Sequence, residues 1–315
     1  MSEAKPKLEK LKALLQSYGS CLVAYSGGVD SVFLARVAHD VLGGRALAAI
    51  ADSPSLPRRE LQEALEIAAR FAFPVRVIQT QEFANDNYTA NPANRCYFCK
   101  HELFEELTPL AQAEKFAVIA YGENASDTGD FRPGAKAAAE FQVRAPLKEA
   151  GLTKAEIREL SAQLGLPTAD KPQMACLSSR VPYGEAVTPA KLRMIEQAEY
   201  ILRDLGFHDV RVRHHELKSG EPTNLAKAQP VIHPAAAPLQ PSTFNLQPGT
   251  SNQQSATSLA RIELAPAEIP ALLANGRLAV VAEELKKIGY AHVTLDLQGY
   301  RRGSTNEALG KKTVS

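Results

Sequence analysis

The chain runs to 315 residues, of which 45% are hydrophobic and 23% charged, the make-up of a globular protein with room for two domains. Lys+Arg (36) and Asp+Glu (35) nearly cancel to a net charge of +1, which excludes the broad basic excess of a general nucleic-acid binder. No apolar run approaches the ~20 residues of a membrane span, and the charged N-terminus MSEAKPKLEKLKALLQ lacks the apolar segment of a secretory signal, so a cytoplasmic location with neither membrane nor nucleic-acid partner is expected.

Leu8, Leu11, Leu14 and Leu15 recur at helical spacing and predict a first helix over 4–18. CLVAY at 21–25 reads as a short buried strand opened by Cys21, SGGVDS at 26–31 as a turn, and 32–43 as a helix ending at a glycine pair. A second strand follows at 45–52, then a helix entered through Pro57, a third strand in FPVRVIQT and a fourth at 115–122. This alternation predicts a doubly wound parallel α/β sheet over residues 1–184.

The rhythm changes after about residue 185. A helix over 188–206 leads into the alternating strand HDVRVRHH, and LARIEL at 259–264 is a further strand. Two helical stretches and a last strand, HVTLDLQG, complete a smaller α+β domain over 185–315, with an antiparallel sheet expected. Between its first two strands, 217–257 is rich in Pro, Gln, Ser, Thr and Asn, and is expected to be a disordered insertion because it buries too little apolar surface to offset its ordering entropy. A proline-rich docking segment is the other reading.

Two groups of residues carry chemistry. In Ser26-Gly27-Gly28-Val29-Asp30-Ser31, placed between a strand and a helix, the glycines let the backbone approach a ligand. Successive N–H groups and the helix N-terminus make an anion cradle, the serines add hydroxyls, and Asp30 suits Mg2+. It is not the GxxxxGK[ST] loop, so γ-phosphate transfer is not implied. The second group is Cys96 and Cys99 with the distant Cys176. A CxxC pair reads as a redox pair, half a zinc site, iron–sulfur ligands or a structural pair. Three thiolates suit a [4Fe–4S] cluster with one open iron. His101, beside Cys99, reads as a surface residue.

SGGVDS resembles the pyrophosphatase loop (PP-loop) of the adenine-nucleotide α-hydrolase-like fold, which implies ATP cleaved between the α- and β-phosphates and an adenylylated substrate oxygen. With RCYFCKHELF, GENASDTGDFRPG, PLKEAGLTKAEIRELSAQLGLP, KPQMACLSSRVPYGEAVT, DVRVRHH, LARIEL and VTLDLQGYRRGSTNEAL, nearly the whole chain outside 217–257 is similar to the LarE family of ATP-dependent sulfur transferases. The resemblance implies pyridinium-3,5-biscarboxylic acid mononucleotide as substrate and ATP with Mg2+ as cosubstrate. Two rounds of adenylylation and sulfur replacement would give the bis-thiocarboxylate of the nickel-pincer cofactor of lactate racemase.

Sulfur comes, in one version of that chemistry, from a single cysteine matching Cys176 that becomes dehydroalanine. In the other, three cysteines matching Cys96, Cys99 and Cys176 hold a [4Fe–4S] cluster carrying a sulfide, and the presence of all three favours the cluster. The resemblance further implies a homo-oligomer, a hexamer in relatives, and a sulfur donor that recharges the site.

The same resemblance places Ser179, Arg180, Arg211 and Arg213 at the substrate phosphate. Arg211 and Arg213 alternate on one strand and so share a face, against the plain reading of a solvated strand. It marks Glu199 as an important acid, where a surface helix acid is the plainer reading. Asp127 and Asp130 are magnesium or nucleotide candidates or turn formers. Lys148 reaches phosphate or the surface, and Thr153 is a helix N-cap. ATP is expected near Ala24, Ser26, Ala51 and Asp52. The alternatives are another PP-loop adenylylating enzyme (an amidotransferase or a tRNA thiolase), a sulfur transferase for a different carboxylate, and a nucleotide-binding non-enzyme.

Overall fold

The computed structural model describes residues 3–127, 133–172, 175–217, 257–274 and 276–301. Helix α1 (Ala4–Tyr18) is followed by β1 (Cys21–Tyr25), α2 (Val29–Leu42), β2 (Ala46–Asp52), α3 (Arg58–Arg70) and β3 (Val75–Gln79). Then come α4 (Asp86–Thr89), α5 (Arg95–Ala113), β4 (Val118–Tyr121), α6 (Pro133–Glu140), α7 (Pro146–Glu149) and α8 (Lys154–Gln163). The chain ends in α9 (Pro189–Asp204), β5 (Val210–Leu217), β6 (Thr257–Leu264), α10 (Ile269–Leu273), α11 (Arg277–Ile288) and β7 (His292–Leu295). The expected insertion lies outside the described residues except at its ends, Leu217 and Thr257, and so does Asp130. Among the described residues no helix is long and apolar enough to cross a membrane.

The first sheet has the order β3-β2-β1-β4, all parallel. All five residues of β1 are buried, because the strand is central and both faces are covered. Cys21, Val23 and Tyr25 pack into the core made with α1, α2, α3 and α8, while Leu22 and Ala24 turn toward α5 and α6. Burial pushes the Cys21 thiol up to about 12, so it stays a protonated core residue.

Two helices begin earlier than their apolar patterns suggest. Helix α2 starts at Val29, with Gly28 as its extended N-cap and Val32 N donating to Gly28 O at 2.9 Å. Asp30 and Ser31 therefore sit in its first turn. Helix α5 starts at Arg95, so Cys96 and Cys99 lie one turn apart on one helical face.

The second sheet, β5-β6-β7, is mixed. The expected antiparallel pairing holds between β5 and β6, but β7 runs parallel to β6. The reason is the connection: α10 and α11 form a helical crossover, which returns the chain in its original direction. Val210 and Val212 join the core beneath α9 and α11, which turns Arg211 and Arg213 to the other face of β5. Helix α9 docks on α3 through Arg59, which pairs with both oxygens of Asp204 at 2.6 and 2.8 Å and stacks 4.1 Å above Tyr200.

Candidate active site

Strand order reverses between β1 and β4, since the chain winds outward through β2 and β3 before returning to the other side of β1. Ligands of open α/β sheets bind at the carboxyl ends of strands at such a switch point. A cavity of about 320 Å3 opens there, lined by Ala24 from β1, by Ser26, Gly28, Asp30 and Ser31 from the loop and by Cys96 from α5. The SGGVDS loop and one cysteine thus face the same space. Ala51 and Asp52 line neither this cavity nor the one described below, and Asp52 pairs instead with Arg58.

The loop is shaped from within. Ser31 Oγ accepts from Ser26 N at 3.1 Å, donates to Gly28 O at 3.0 Å and lies 3.1 Å from Ser26 Oγ. Gly27 has φ of +71°, and a Cβ there would stand 2.8 Å from the Ala64 Cβ, so both conformation and space require glycine. Gly122, just after β4, presses on the loop from outside: a Cβ would lie 3.0 Å from Ser31 N and 3.1 Å from Asp30 Cβ. A glycine directly after the fourth strand was the available sequence signal for it.

Asp30 is held in place. Lys154 Nζ donates to its Oδ2 at 2.6 Å and Asn124 Nδ2 to its Oδ1 at 3.4 Å. Asp127 accepts from Asn124 N at 3.2 Å on the same side. Beyond Asp30 lies a second cavity, of about 480 Å3, lined by Asp127, Lys154, Arg158, Asp209, Arg211 and Tyr300 and sharing Asp30 and Gly122 with the first. Lys148 pairs with Glu123 at 2.9 Å, at the rim of the first cavity. Thr153 caps α8 in a reciprocal capping box with Glu156.

The Cys176 turn is assembled from distant parts of the chain. Ser55, Tyr88 and Ser178, all buried, form a closed ring of hydroxyls with separations of 2.5, 2.7 and 3.0 Å. Arg180 is fully buried. Its Nε and Nη2 donate to the two oxygens of Glu199 at 2.8 and 3.1 Å, and its Nη1 donates to Ala175 O at 2.6 Å and Cys176 O at 3.1 Å. Ser179 Oγ donates to Cys176 O at 2.8 Å, and Arg213 Nη1 donates to Ser179 O at 2.7 Å while its Nη2 pairs with Glu263 at 2.8 Å.

Of the four residues expected at a substrate phosphate, only Arg211 lines either cavity. Ser179, Arg180 and Arg213 brace the Cys176 turn. Glu199 is buried rather than on a helix surface. Burial alone would raise its carboxyl, but Arg180, with help from Arg211 and Val212 N, outweighs this and holds it below the usual carboxylate range.

Cys96 and Cys176 are exposed and Cys99 is half-buried. The three thiols are electrostatic neighbours. Desolvation, then Cys176, Glu82 and Cys96, push Cys99 up, and desolvation, then Cys176, push Cys96 up against the pull of Arg95 and Lys100. Arg95, buried at the start of α5, and Glu82, whose buried Oε2 has no hydrogen-bond partner among the described residues, were not singled out in the sequence. Adjacency to Cys96 was the only signal for Arg95. His101, expected at the surface, is half-buried: it pairs with Glu105 at 3.3 Å and its ring stands edge-on to Phe141, 4.9 Å away.

No family model matches the chain. An uncharacterised protein of Synechocystis is 41% identical over 305 residues, spanning 97% of this chain and 98% of that protein. The pyridinium-3,5-bisthiocarboxylic acid mononucleotide synthase of Lactiplantibacillus plantarum is 30% identical over 317 residues, spanning 100% of this chain and 99% of that one. One chain of the glutamine-hydrolysing GMP synthase of Methanopyrus kandleri, a PP-loop enzyme, is 26% identical over 219 residues, 62% of this chain and 67% of that one.

Proposed function

This chain belongs to the PP-loop ATP pyrophosphatases and, within them, to the family of the Lactiplantibacillus plantarum synthase; from that premise we propose that it adenylylates a carboxylate of pyridinium-3,5-biscarboxylic acid mononucleotide and converts it to a thiocarboxylate. The observation that carries this reading is the cavity at the β1/β4 switch point, which is lined at once by the phosphate loop and by Cys96.

The first-turn N–H groups of α2 and the Gly27–Gly28 backbone cradle the phosphates of ATP. Asp30 and Asp127 are the carboxylates that would hold its Mg2+. A substrate carboxylate oxygen attacks the α-phosphorus, the bond to the bridging oxygen breaks, and pyrophosphate leaves with that electron pair. The acyl adenylate is then open to sulfur, with AMP as leaving group. Residues 1–184 act as the ATP-binding domain and 185–315 as the substrate domain. Arg211 offers its guanidinium to the mononucleotide phosphate.

Cys96, Cys99 and Cys176 would hold a [4Fe–4S] cluster. Among the described residues no three His, Cys, Asp or Glu side chains surround a single metal ion, whereas a cubane spreads its cysteines over different irons. Burial and neighbouring negative charge disfavour the Cys96 and Cys99 thiolates, so these sulfurs and the orphaned Glu82 oxygen suit a cationic centre. When bound, such a cluster supplies sulfide through an iron that no cysteine holds. The exposure of Cys176 favours a second reading, in which it yields its own sulfur.

The test is ATP–pyrophosphate exchange that depends on the biscarboxylated mononucleotide, followed by intact-mass analysis after anaerobic turnover. Exchange is expected. Its absence overturns the proposal. A mass loss of about 34 Da, one H2S, assigns the sulfur to Cys176, and an unchanged mass with iron present assigns it to the cluster.

A further inference from the structure

We propose that Lys154 receives the departing pyrophosphate, and that its ion pair with Asp30 is the resting position from which it moves. This rests on the adenylylation reading above.

Among the described residues three cations line the second cavity, and they differ in what holds them. Arg158 is anchored on backbone, donating to Ala169 O and, at 2.8 Å, to Lys171 O. Arg211 donates to Val210 O at 2.6 Å and lies 4.9 Å from the Tyr300 ring. Lys154 instead places its ammonium 2.6 Å from the carboxylate of the phosphate loop itself, with its side chain 31% exposed. An ammonium on a flexible four-carbon stem can change partners where an anchored guanidinium cannot.

Its surroundings give it two possible partners. Asp30 and Gly122 belong to both cavities, so Lys154, paired with Asp30, stands beside the residues that border both spaces. The base of the side chain is fixed: Lys154 N donates to Ser126 Oγ at 3.0 Å, and Thr153 and Glu156 cap the helix that begins there. Only the outer stem has to swing. Once Asp30 serves the Mg2+ of bound ATP, two cations would compete for one carboxylate, and the phosphate oxygens are the new acceptor within reach.

As the α-phosphorus bonds to the substrate carboxylate oxygen and releases the bridging oxygen, negative charge grows on pyrophosphate. Lys154 follows that charge, and its ammonium keeps its proton throughout. Asp209 in the cavity wall limits how tightly the product is kept, so that it can leave.

The experiment measures binding of Mg·pyrophosphate and, separately, of AMP to the full chain by calorimetry, for wild type, Lys154→Gln and Lys154→Arg. Lys154→Gln is expected to weaken pyrophosphate about tenfold or more with AMP affinity unchanged, and Lys154→Arg to keep most of the pyrophosphate affinity. Exchange in Lys154→Gln is expected to fall about a hundredfold. If pyrophosphate affinity is unchanged in Lys154→Gln, or falls together with AMP affinity, Lys154 merely braces Asp30 and the inference is overturned. Wild-type exchange separates the two claims: exchange with undisturbed pyrophosphate binding removes only Lys154, whereas no exchange, or no wild-type binding of pyrophosphate, removes the adenylylation reading as well.

Discussion

The phosphate loop and the Cys176 turn each hold a reactive group still, and they are built by opposite means. Ser31 closes the loop on residues three and five positions away, and Gly27 fits the one backbone conformation the turn allows. The Cys176 turn depends on groups 34, 90 and 123 positions away, namely Arg213 on Ser179, and Tyr88 and Ser55 on Ser178. The loop is nearly self-sufficient. The turn exists only once both sheets have met, so the two should fail differently when disturbed.

The largest effect is expected at Arg180. Arg180→Met leaves the Glu199 carboxylate buried without its bidentate partner and should cost about 3–5 kcal/mol in chemical denaturation. The pH dependence gives a sharper reading. The folded wild-type carboxyl lies below its ordinary 4.5, so its stabilising contribution is present above that value and lost as the pH falls through the folded value. In Arg180→Met only Arg211, Val212 N and the more distant Arg203 remain to oppose burial, so the folded value should rise, this contribution should shrink and the acid slope should flatten. A variant with the wild-type acid slope would show that Arg180 is not what holds Glu199.

Gly27→Ala comes next. It forces an L side chain to φ of +71° and against Ala64, at about 2–4 kcal/mol, with loss of ATP affinity but unchanged alkylation of Cys176. Tyr88→Phe is the mirror experiment. Ser55 and Ser178 still bond each other at 3.0 Å, so the cost should be about 1 kcal/mol, with ATP affinity intact and faster alkylation of Cys176. If either variant moves both readouts together, the two regions are one unit and the comparison fails. The smallest effect is expected from Arg59→Ala, whose pair with Asp204 is exposed and should contribute at most about 1 kcal/mol, screened by salt.

The same contrast explains what could be read from sequence. The loop, the alternation of strand and helix, and the burial of Cys21 follow from local pattern, and all are legible in the residues. The helix starts were not, because α2 begins inside the polar loop, at Val29, and α5 at the buried Arg95. Spacing alone could not show that Arg180 and Arg213 turn inward to brace a cysteine, since those roles are set by Glu199 and Glu263 across the fold. Lys154 was hidden for the same reason: its partner Asp30 lies 124 positions away. The parallel β7 follows from the helical crossover that precedes it, which no residue in HVTL announces.

The most direct measurement is a single-turnover reaction under anaerobic conditions, with ATP, Mg2+ and the biscarboxylated mononucleotide, run on the wild type and on Cys176→Ala. Wild type should yield AMP, pyrophosphate and a thiocarboxylate in equal amounts, and Cys176→Ala should yield pyrophosphate and acyl adenylate, with AMP only from its hydrolysis by water and no sulfur product. Thiocarboxylate from the variant, or no pyrophosphate from the wild type, would contradict the account of one cavity serving both adenylylation and sulfur delivery.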